Sequence, residues 1–393
     1  MRTVRAFDRP EIVAALTVGS IALLMLGAQP AVLGELIERK VISLEGVGLV
    51  AMGEIIAVGV GVALGDALLA TTRMRLVAVV AALATAVFDV GSIALGSDTA
   101  FVAGRALAGL SEGVLVRVTT CVIVRSSAPE RLAGAFLVAQ TLAQAAVAAL
   151  LALVVVPRFG WQGAFVALAI LSAAVALAAP FLPASLEPLA AGGAPKLGIS
   201  PAIVLTLGVV FCEMATLGAL WAFLEPLGTR AGFDPQTAQT IVSGVLVMQV
   251  IGGVVATAFA ERLPPARTLA VAAAILGAIT LTIGVAPGPA PIRFAVLCAI
   301  FGFVWLFMMP FHIGLALRAD PAGRVAVLVP AAQLTGSAFG PLVVSLIVVG
   351  DDAGPAPFVS AAFALVALAA LGALALSQRP GIAGIAANSA GDK

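Results

Sequence analysis

The chain has no tyrosine and a single histidine, His312. The first absence excludes chemistry that depends on a phenol, and the second excludes any site needing two imidazoles. The three cysteines, Cys121, Cys212 and Cys298, are far apart, lie inside apolar runs and form no Cys-x-x-Cys pair. Neither a disulfide framework nor a zinc site is encoded, so buried packing is their expected role. A Gly-rich loop ending in Lys-Ser or Lys-Thr is also missing, which argues against ATP-driven pumping. Charge is scarce as well: 10% of residues are Asp, Glu, Lys or Arg, against about 25% in a typical soluble domain. Such a chain cannot cover a globule with a charged surface, and lipid removes the need for one. The net charge of +1 gives no basic field for a nucleic-acid partner.

What is abundant is apolar: 62% of residues are hydrophobic and the mean hydropathy is +1.16. A membrane helix needs about 20 mostly apolar residues. Breaks rich in Arg, Asp, Pro and Gly divide the chain into twelve such runs, about 11–33, 45–69, 77–96, 101–124, 132–156, 164–184, 200–226, 237–260, 268–286, 292–316, 325–349 and 357–377. The opening MRTVRAFDRPE leads into a run too long for a signal-peptide core and without an Ala-x-Ala exit, so it reads as a retained first span. The connections are short. The expected organisation is a six-helix bundle over 1–184, a cytoplasmic linker over 185–199, a second six-helix bundle over 200–380 and a tail over 381–393.

Basic residues accumulate on the cytoplasmic side of membrane proteins. With both termini inside, fourteen Lys and Arg fall on the inner side, five (Arg39, Lys40, Arg158, Arg230 and Arg293) on the outer side, and Arg105 and Arg117 within the fourth span. This asymmetry favours an even number of spans with both ends cytoplasmic. The halves also match at an offset of 191–193 residues. Leu26-Gly27-Ala28 falls on Leu217-Gly218-Ala219, Gly53 and Gly61 on Gly244 and Gly252, Arg75 on Arg267, Gly109 on Gly302, Arg125 and Arg131 on Arg318 and Arg324, and Ala139-Gln140 on Ala332-Gln333. An ancient duplication of six helices accounts for one register kept through the half.

Twelve spans in two six-helix halves resemble the major facilitator superfamily. In the fourth span, GRALAGLSEG resembles that family's Arg-x-x-x-Gly signature at Arg105 and Gly109. GDALLATTRMR resembles its loop after the second span, with Asp66, Arg73 and Arg75 in place but Ala67 and Leu69 where Gly and Arg are usual. RSSAPERLAGAF and FGWQGAF look like landmarks around the fifth and sixth spans. The fifth span lacks the Gly-Pro element of the antiporter signature, while a Gly-Pro pair stands in the eleventh, GSAFGPL. The resemblance implies an all-α membrane protein of two pseudo-symmetric bundles that rock about a central cavity. It also gives Asp66, with Arg73 and Arg75, a bracing role at the inner gate.

Charges inside a span are costly, about 2.5–3.5 kcal/mol each on insertion scales, so they mark function or pairing. The fourth span carries Arg105, Glu112 and Arg117. Arg105 and Glu112 are seven residues apart on one face, about 10 Å along the axis, which reads as too far for a direct bond but close enough to share a cavity. Their equivalents in the second half are Cys298, Trp305 and Pro310, so the first half is expected to carry coupling. Glu54, Asp89 and Glu213 are the other mid-span carboxyls; each is a candidate proton carrier or a partner for Arg105, with Asp89 on a helix that the family keeps peripheral. Glu225 reads as a cavity-rim contact or an interfacial charge.

Candidate cavity residues are Gln29, Gln140, Gln144, Gln249 and Gln333, with Trp221, Phe301 and Trp305 as an aromatic wall. Gln140 and Gln333 are repeat equivalents that would face each other. His312 reads as a packed, hydrogen-bonded residue. The stripe Gly53, Ala57, Gly61, Gly65 reads as a close-packing face. The expected activity is secondary transport of a small organic molecule across a bacterial inner membrane, proton-coupled and leaning to efflux, by a monomer in the lipid bilayer without cofactor, metal or nucleic acid. Uptake of an organic anion on Arg105 is the alternative, and a membrane-embedded enzyme the alternative of another class.

Overall fold

The computed structural model describes residues 7–69, 71–127, 129–186, 200–259, 262–286, 288–321, 324–350 and 352–377. The expected linker, apart from Ser185 and Leu186, the expected tail and the side chains of Asp66, Arg131 and Arg324 lie outside this description. The described chain is helical: α1 (Arg9–Ala22), α2 (Leu24–Glu38), α3 (Leu44–Leu68), α4 (Met74–Ser92), α5 (Asp98–Ile123), α6 (Pro129–Leu150), α7 (Val156–Ala178), α8 (Pro201–Trp221), α9 (Leu224–Arg230), α10 (Pro235–Phe259), α11 (Pro265–Gly284), α12 (Pro291–Ala319), α13 (Arg324–Ser345) and α14 (Pro355–Ser377).

Serine caps explain several starts. Ser43 Oγ accepts from Gly46 N at 3.0 Å, and Ser97 and Ser200 do the same for Ala100 and Ile203, satisfying backbone donors that a first turn leaves free. Asp98 then ties two starts together, accepting from Ser43 N at 2.8 Å and Ser43 Oγ at 2.5 Å.

Eleven described helical stretches are long and apolar enough to cross a membrane, and one of them, Leu132–Phe181, runs for 50 residues. At 1.5 Å per residue that is about 75 Å, more than twice a hydrocarbon core of about 30 Å. It therefore holds two crossings, divided at Gly160, whose φ of 64° and ψ of −169° no helix contains. Twelve crossings result, as the sequence implies. An even number places residues 7 and 377 at the same end of the bundle; the opposite end is called distal below.

Two crossings are not single rods. α1 and α2 part at Leu23 (φ −107°, ψ 9°), and α8 and α9 part at Ala222 and Phe223. The freed backbone groups find partners elsewhere. Gln144 Nε2 donates to the Leu23 carbonyl at 2.7 Å. Pro30 has no N–H for the carbonyl four residues back, which is Leu26, and the Trp221 indole Nε1 donates to that oxygen at 3.2 Å. Gln144 is thus engaged in holding the first crossing.

The duplication is visible in contacts as well as in sequence. A Cβ on Gly61 would meet the Leu110 carbonyl, and one on Gly252 the Phe303 carbonyl. A Cβ on Gly109 would meet the Glu54 carbonyl, and one on Gly302 the Val245 carbonyl. Gly27 lies against Gln144 and Gly218 against Ser337. Each pair repeats at the 191–193 offset. The stripe Gly53, Ala57, Gly61, Gly65 faces α5 throughout, against Val102, Gly109, Leu110 and Arg117, so it is the seam on which α3 and α5 approach. Gly61→Leu is expected to lower stability by about 1–3 kcal/mol or more, because backbone cannot yield as a side chain does. The measurement is the thermal midpoint of detergent-solubilised protein, with Gly372→Leu, which meets nothing within 4 Å, expected to leave it unchanged.

Apolar side chains dominate the outside, for example Leu177 at 77% and Ile292 at 80% exposure. In water such a surface would aggregate; in a bilayer it is the lipid face.

Candidate functional site

Three helices of the first half, α3, α4 and α5, deliver charge to one point. Arg105 on α5 is completely buried. Its Nη1 donates to Asp89 Oδ1 on α4 at 2.7 Å, and its Nη2 to Glu54 Oε1 on α3 at 2.5 Å and to Glu112 Oε1 at 3.2 Å. Gln29 Nε2 on α2 donates to the second oxygen of Glu54 at 3.0 Å, and Ser172 Oγ on α7 to Asp89 Oδ2 at 3.4 Å. The Phe165 ring lies 5.6 Å from the Arg105 guanidinium carbon, within cation–π range.

The direct contact between Arg105 and Glu112 corrects the expectation that seven residues put them out of reach. Side chains on a helix lean toward its N-terminus, so Glu112 leans back toward Arg105, and the long arginine stem covers the remaining rise. Asp89 is 2% exposed and engaged, although its helix α4 has the smallest buried share of the described crossings. One guanidinium faces three carboxyls. It neutralises one, so the cluster has room for protons on the others. Arg105 Nε and Glu112 Oε2 make no hydrogen bond among the described residues.

Arg117 is not part of this cluster. It lies further along α5, where its Nη2 donates to the Leu69 carbonyl just past the end of α3, at 2.8 Å. That bond ties it to the end of α3 rather than to Arg105. Asp66 occupies the last turn of α3. Arg75 Nε donates to the Leu182 carbonyl at 2.7 Å, and Arg73 closes the short turn before α4.

The second half holds a different polar group. Glu213 on α8 and His312 on α12 are fully buried, with Oε2 and Nε2 2.7 Å apart. The His312 Nδ1 lies 3.0 Å from Gln333 Nε2 on α13. Gln333 therefore turns to His312, and the structure does not pair it with Gln140, whose Oε1 has no partner among the described residues. Gln249 on α10 is 5% exposed with Nε2 equally unpaired. Trp221, Phe301 and Trp305 form one aromatic group, with ring centroids 5.3 and 5.7 Å from the Trp305 ring. The pairing of His312 with Glu213 was hidden in the sequence, because the partners are 99 residues apart.

The halves are joined toward the distal end. Besides the Trp221–Leu26 bond, Gln239 Nε2 donates to Glu35 Oε2 at 3.3 Å and Gly350 N to Glu45 Oε1 at 2.8 Å. Gly48 is pressed on the Pro341 carbonyl and Ser345, and Gly34 on Glu225. A distal cavity of about 720 Å³ between the halves is lined by Gly34, Glu38, Glu225, Thr229, Arg230 and Asp352, among others. Arg230 pairs with Asp352 at 3.2 Å. Glu225, 4% exposed, is among the residues lining this cavity. No group of three or more His, Cys, Asp or Glu arranged to hold a metal occurs among the described residues.

This twelve-crossing architecture is that of a known class of transporters. The Major Facilitator Superfamily profile matches residues 12–341, and the chain belongs to that family. It is a multi-pass membrane transport protein, and the membrane-embedded enzyme is set aside. No protein with a curated description matches it in sequence. Among solved structures it is similar to a point mutant of the nucleoside transporter NupG, at 13% identity, 92% of this chain, 99% of that chain and a TM-score of 0.72. It is similar to a bacterial homologue of the human lysosomal transporter Spinster in an inward-facing, occupied conformation, at 16% identity, 95% and 98% coverage and a TM-score of 0.65. It is also similar to the xylose transporter XylE from E. coli in a partially occluded, inward-open conformation, at 13% identity, 94% and 100% coverage and a TM-score of 0.67. At these identities the likeness is one of fold.

Proposed function

We propose that this protein is a proton-coupled secondary transporter that exports a small neutral or cationic organic molecule across a bacterial inner membrane, acting as a monomer with both termini cytoplasmic. The observation that carries the coupling is Arg105, wholly buried between Glu54, Asp89 and Glu112. Buried charge must be paired, and a cluster with more carboxyls than cations changes its charge by binding protons. Such a change, felt by α2, α3, α4, α5 and α7 together, alters how the first half packs. The two halves then rock about a cavity whose candidate contacts are Gln140, Gln249, Trp221, Phe301 and Trp305. The excess of basic residues at the end carrying residues 7 and 377 makes that end cytoplasmic. The state described, joined at the distal end, is then the one that loads from inside.

Uptake of an organic anion fits less well. Arg105, the residue it would need, already faces three carboxyls and has no exposed surface. The distal cavity offers an anion no free cation among its described lining residues, since its Arg230 is paired with Asp352. The family neighbours that carry nucleosides and xylose make both solute classes worth including in a screen.

The test uses purified protein in sealed vesicles with an imposed pH gradient and a panel of labelled nucleosides, pentoses and lipophilic organic cations. Flux of at least one solute is expected to follow the gradient, and Glu112→Gln to uncouple flux from it. Flux indifferent to the gradient, with Glu112→Gln fully active, would reject proton coupling.

A further inference from the structure

The second half repeats the helices of the first but not its charges. In place of an arginine among carboxyls it holds the chain Glu213–His312–Gln333. Glu213 Oε2 and His312 Nε2 are 2.7 Å apart, His312 Nδ1 and Gln333 Nε2 are 3.0 Å apart, and the same Gln333 nitrogen lies 3.2 Å from Met309 Sδ. The remaining ionisable side chains on α8 and on α10 through α14 are Cys212 and Cys298 and, at helix ends, Arg267, Arg293, Arg318 and Arg324; Asp320 follows α12. No second carboxyl or guanidinium stands at mid-span beside the pair on those helices. The first-half equivalents of Glu213, His312 and Gln333 at the repeat offset are Ala22, Thr119 and Gln140, so this group has no counterpart in the Arg105 cluster.

The partners define the proton positions. Nε2 faces a carboxylate, which accepts, and Nδ1 faces an amide nitrogen, which donates. That arrangement fits a neutral imidazole carrying its hydrogen on Nε2. The Glu213 carboxylate then leaves the pair with one negative charge. A proton added at Nδ1 makes an imidazolium beside a carboxylate, and the pair becomes neutral. The Gln333 N–H would then oppose another N–H, so its amide must turn to offer Oε1. Gln333 sits on α13, the helix that meets α3 of the other half at Gly48 against Pro341 and at Gly59 against the next residue, Leu334. Protonation is thereby linked to a helix on which the halves touch.

We propose that Glu213, His312 and Gln333 form a second proton-binding site, in the C-terminal half, whose state Gln333 passes to α13. The proposal deepens the proton-coupled reading but does not need transport to be tested. The chain has one histidine, so nitrogen-15 histidine labelling of the full chain in lipid nanodiscs yields a single imidazole with no assignment problem. The expected result from about pH 5 to about pH 9 is a neutral form with hydrogen on Nε2 and a change of protonation state whose midpoint Glu213→Gln alters. Gln333→Leu, which leaves Nδ1 without its donor, is expected to mix the two neutral tautomers. Leu177→Ala, on the lipid face of the other half, is expected to change neither. The proposal is overturned by an imidazole that keeps one protonation state across the range, or by equal midpoints in wild type and Glu213→Gln. Should Glu213→Gln fail to fold, the wild-type titration and the Gln333→Leu tautomers decide. Flux indifferent to a pH gradient with these signatures intact would sink proton coupling and leave this site standing.

Discussion

Arg105→Met is expected to be the most damaging single substitution, costing about 3–5 kcal/mol, because it leaves buried carboxyls without their cation. The guanidinium makes three ion pairs at once, to Glu54, Asp89 and Glu112. Methionine fills much of the same volume, so lost packing contributes little and the loss reports charge. The measurement is the thermal midpoint in detergent together with the half-life at fixed temperature, since such proteins often unfold irreversibly. Adding Glu54→Gln and Asp89→Asn to Arg105→Met is expected to recover much of the stability, because it removes two of the three stranded carboxyls, leaving only Glu112, and keeps their shapes. Gradient-driven flux is expected to stay absent in the triple variant. A single variant as stable as wild type would show that the cluster does not hold the first half together.

Gly48→Val is expected to shift the protein away from the state joined at the distal end. A Cβ at Gly48 would run into the Pro341 carbonyl and the Ser345 hydroxyl on the opposite half, and backbone on α13 cannot move aside without the helix. A wedge that disfavours this state by about 1.4 kcal/mol changes the balance tenfold. The reporter is a cysteine at Gln239, which is 2% exposed in the joined state, labelled with a membrane-impermeant maleimide from the distal side. The native cysteines are all buried and keep the background low. Labelling about tenfold faster in Gly48→Val than with Gly48 intact is expected; equal rates would show that this seam is not the distal gate. The reporter removes the Gln239–Glu35 bond from both proteins, so the comparison stays internal.

The twelve crossings were legible because a bilayer demands about 20 apolar residues per helix and the chain supplies them between polar breaks. The repeat was legible because Gly61 and Gly252, or Gly109 and Gly302, must be small for the same reason in each half: a neighbouring carbonyl occupies the space a side chain would take. The break at Leu23 was not: nothing local marks it, and what makes it tolerable comes from afar, the amide of Gln144, as does the indole of Trp221 at the carbonyl freed by Pro30. The break at Ala222 does carry a local mark, Pro226, which has no N–H for the Ala222 carbonyl. Counting helical rise alone separated Arg105 from Glu112 and overlooked side-chain reach. Arg117, grouped with them by sequence, is turned to the end of α3.

The sequence by itself determined the solvent, the number of spans, the two-fold repeat and the fact that Arg105, Glu54, Asp89, Glu112 and Glu213 must each find a partner, since an isolated charge in hydrocarbon is too costly to persist. Tertiary structure alone decided who those partners are. Three carboxyls meet one arginine, while Glu213 takes His312. That choice depends on which helix faces which, and on side-chain reach across gaps of 16, 51 and 99 residues, a distance over which local sequence carries no geometric information.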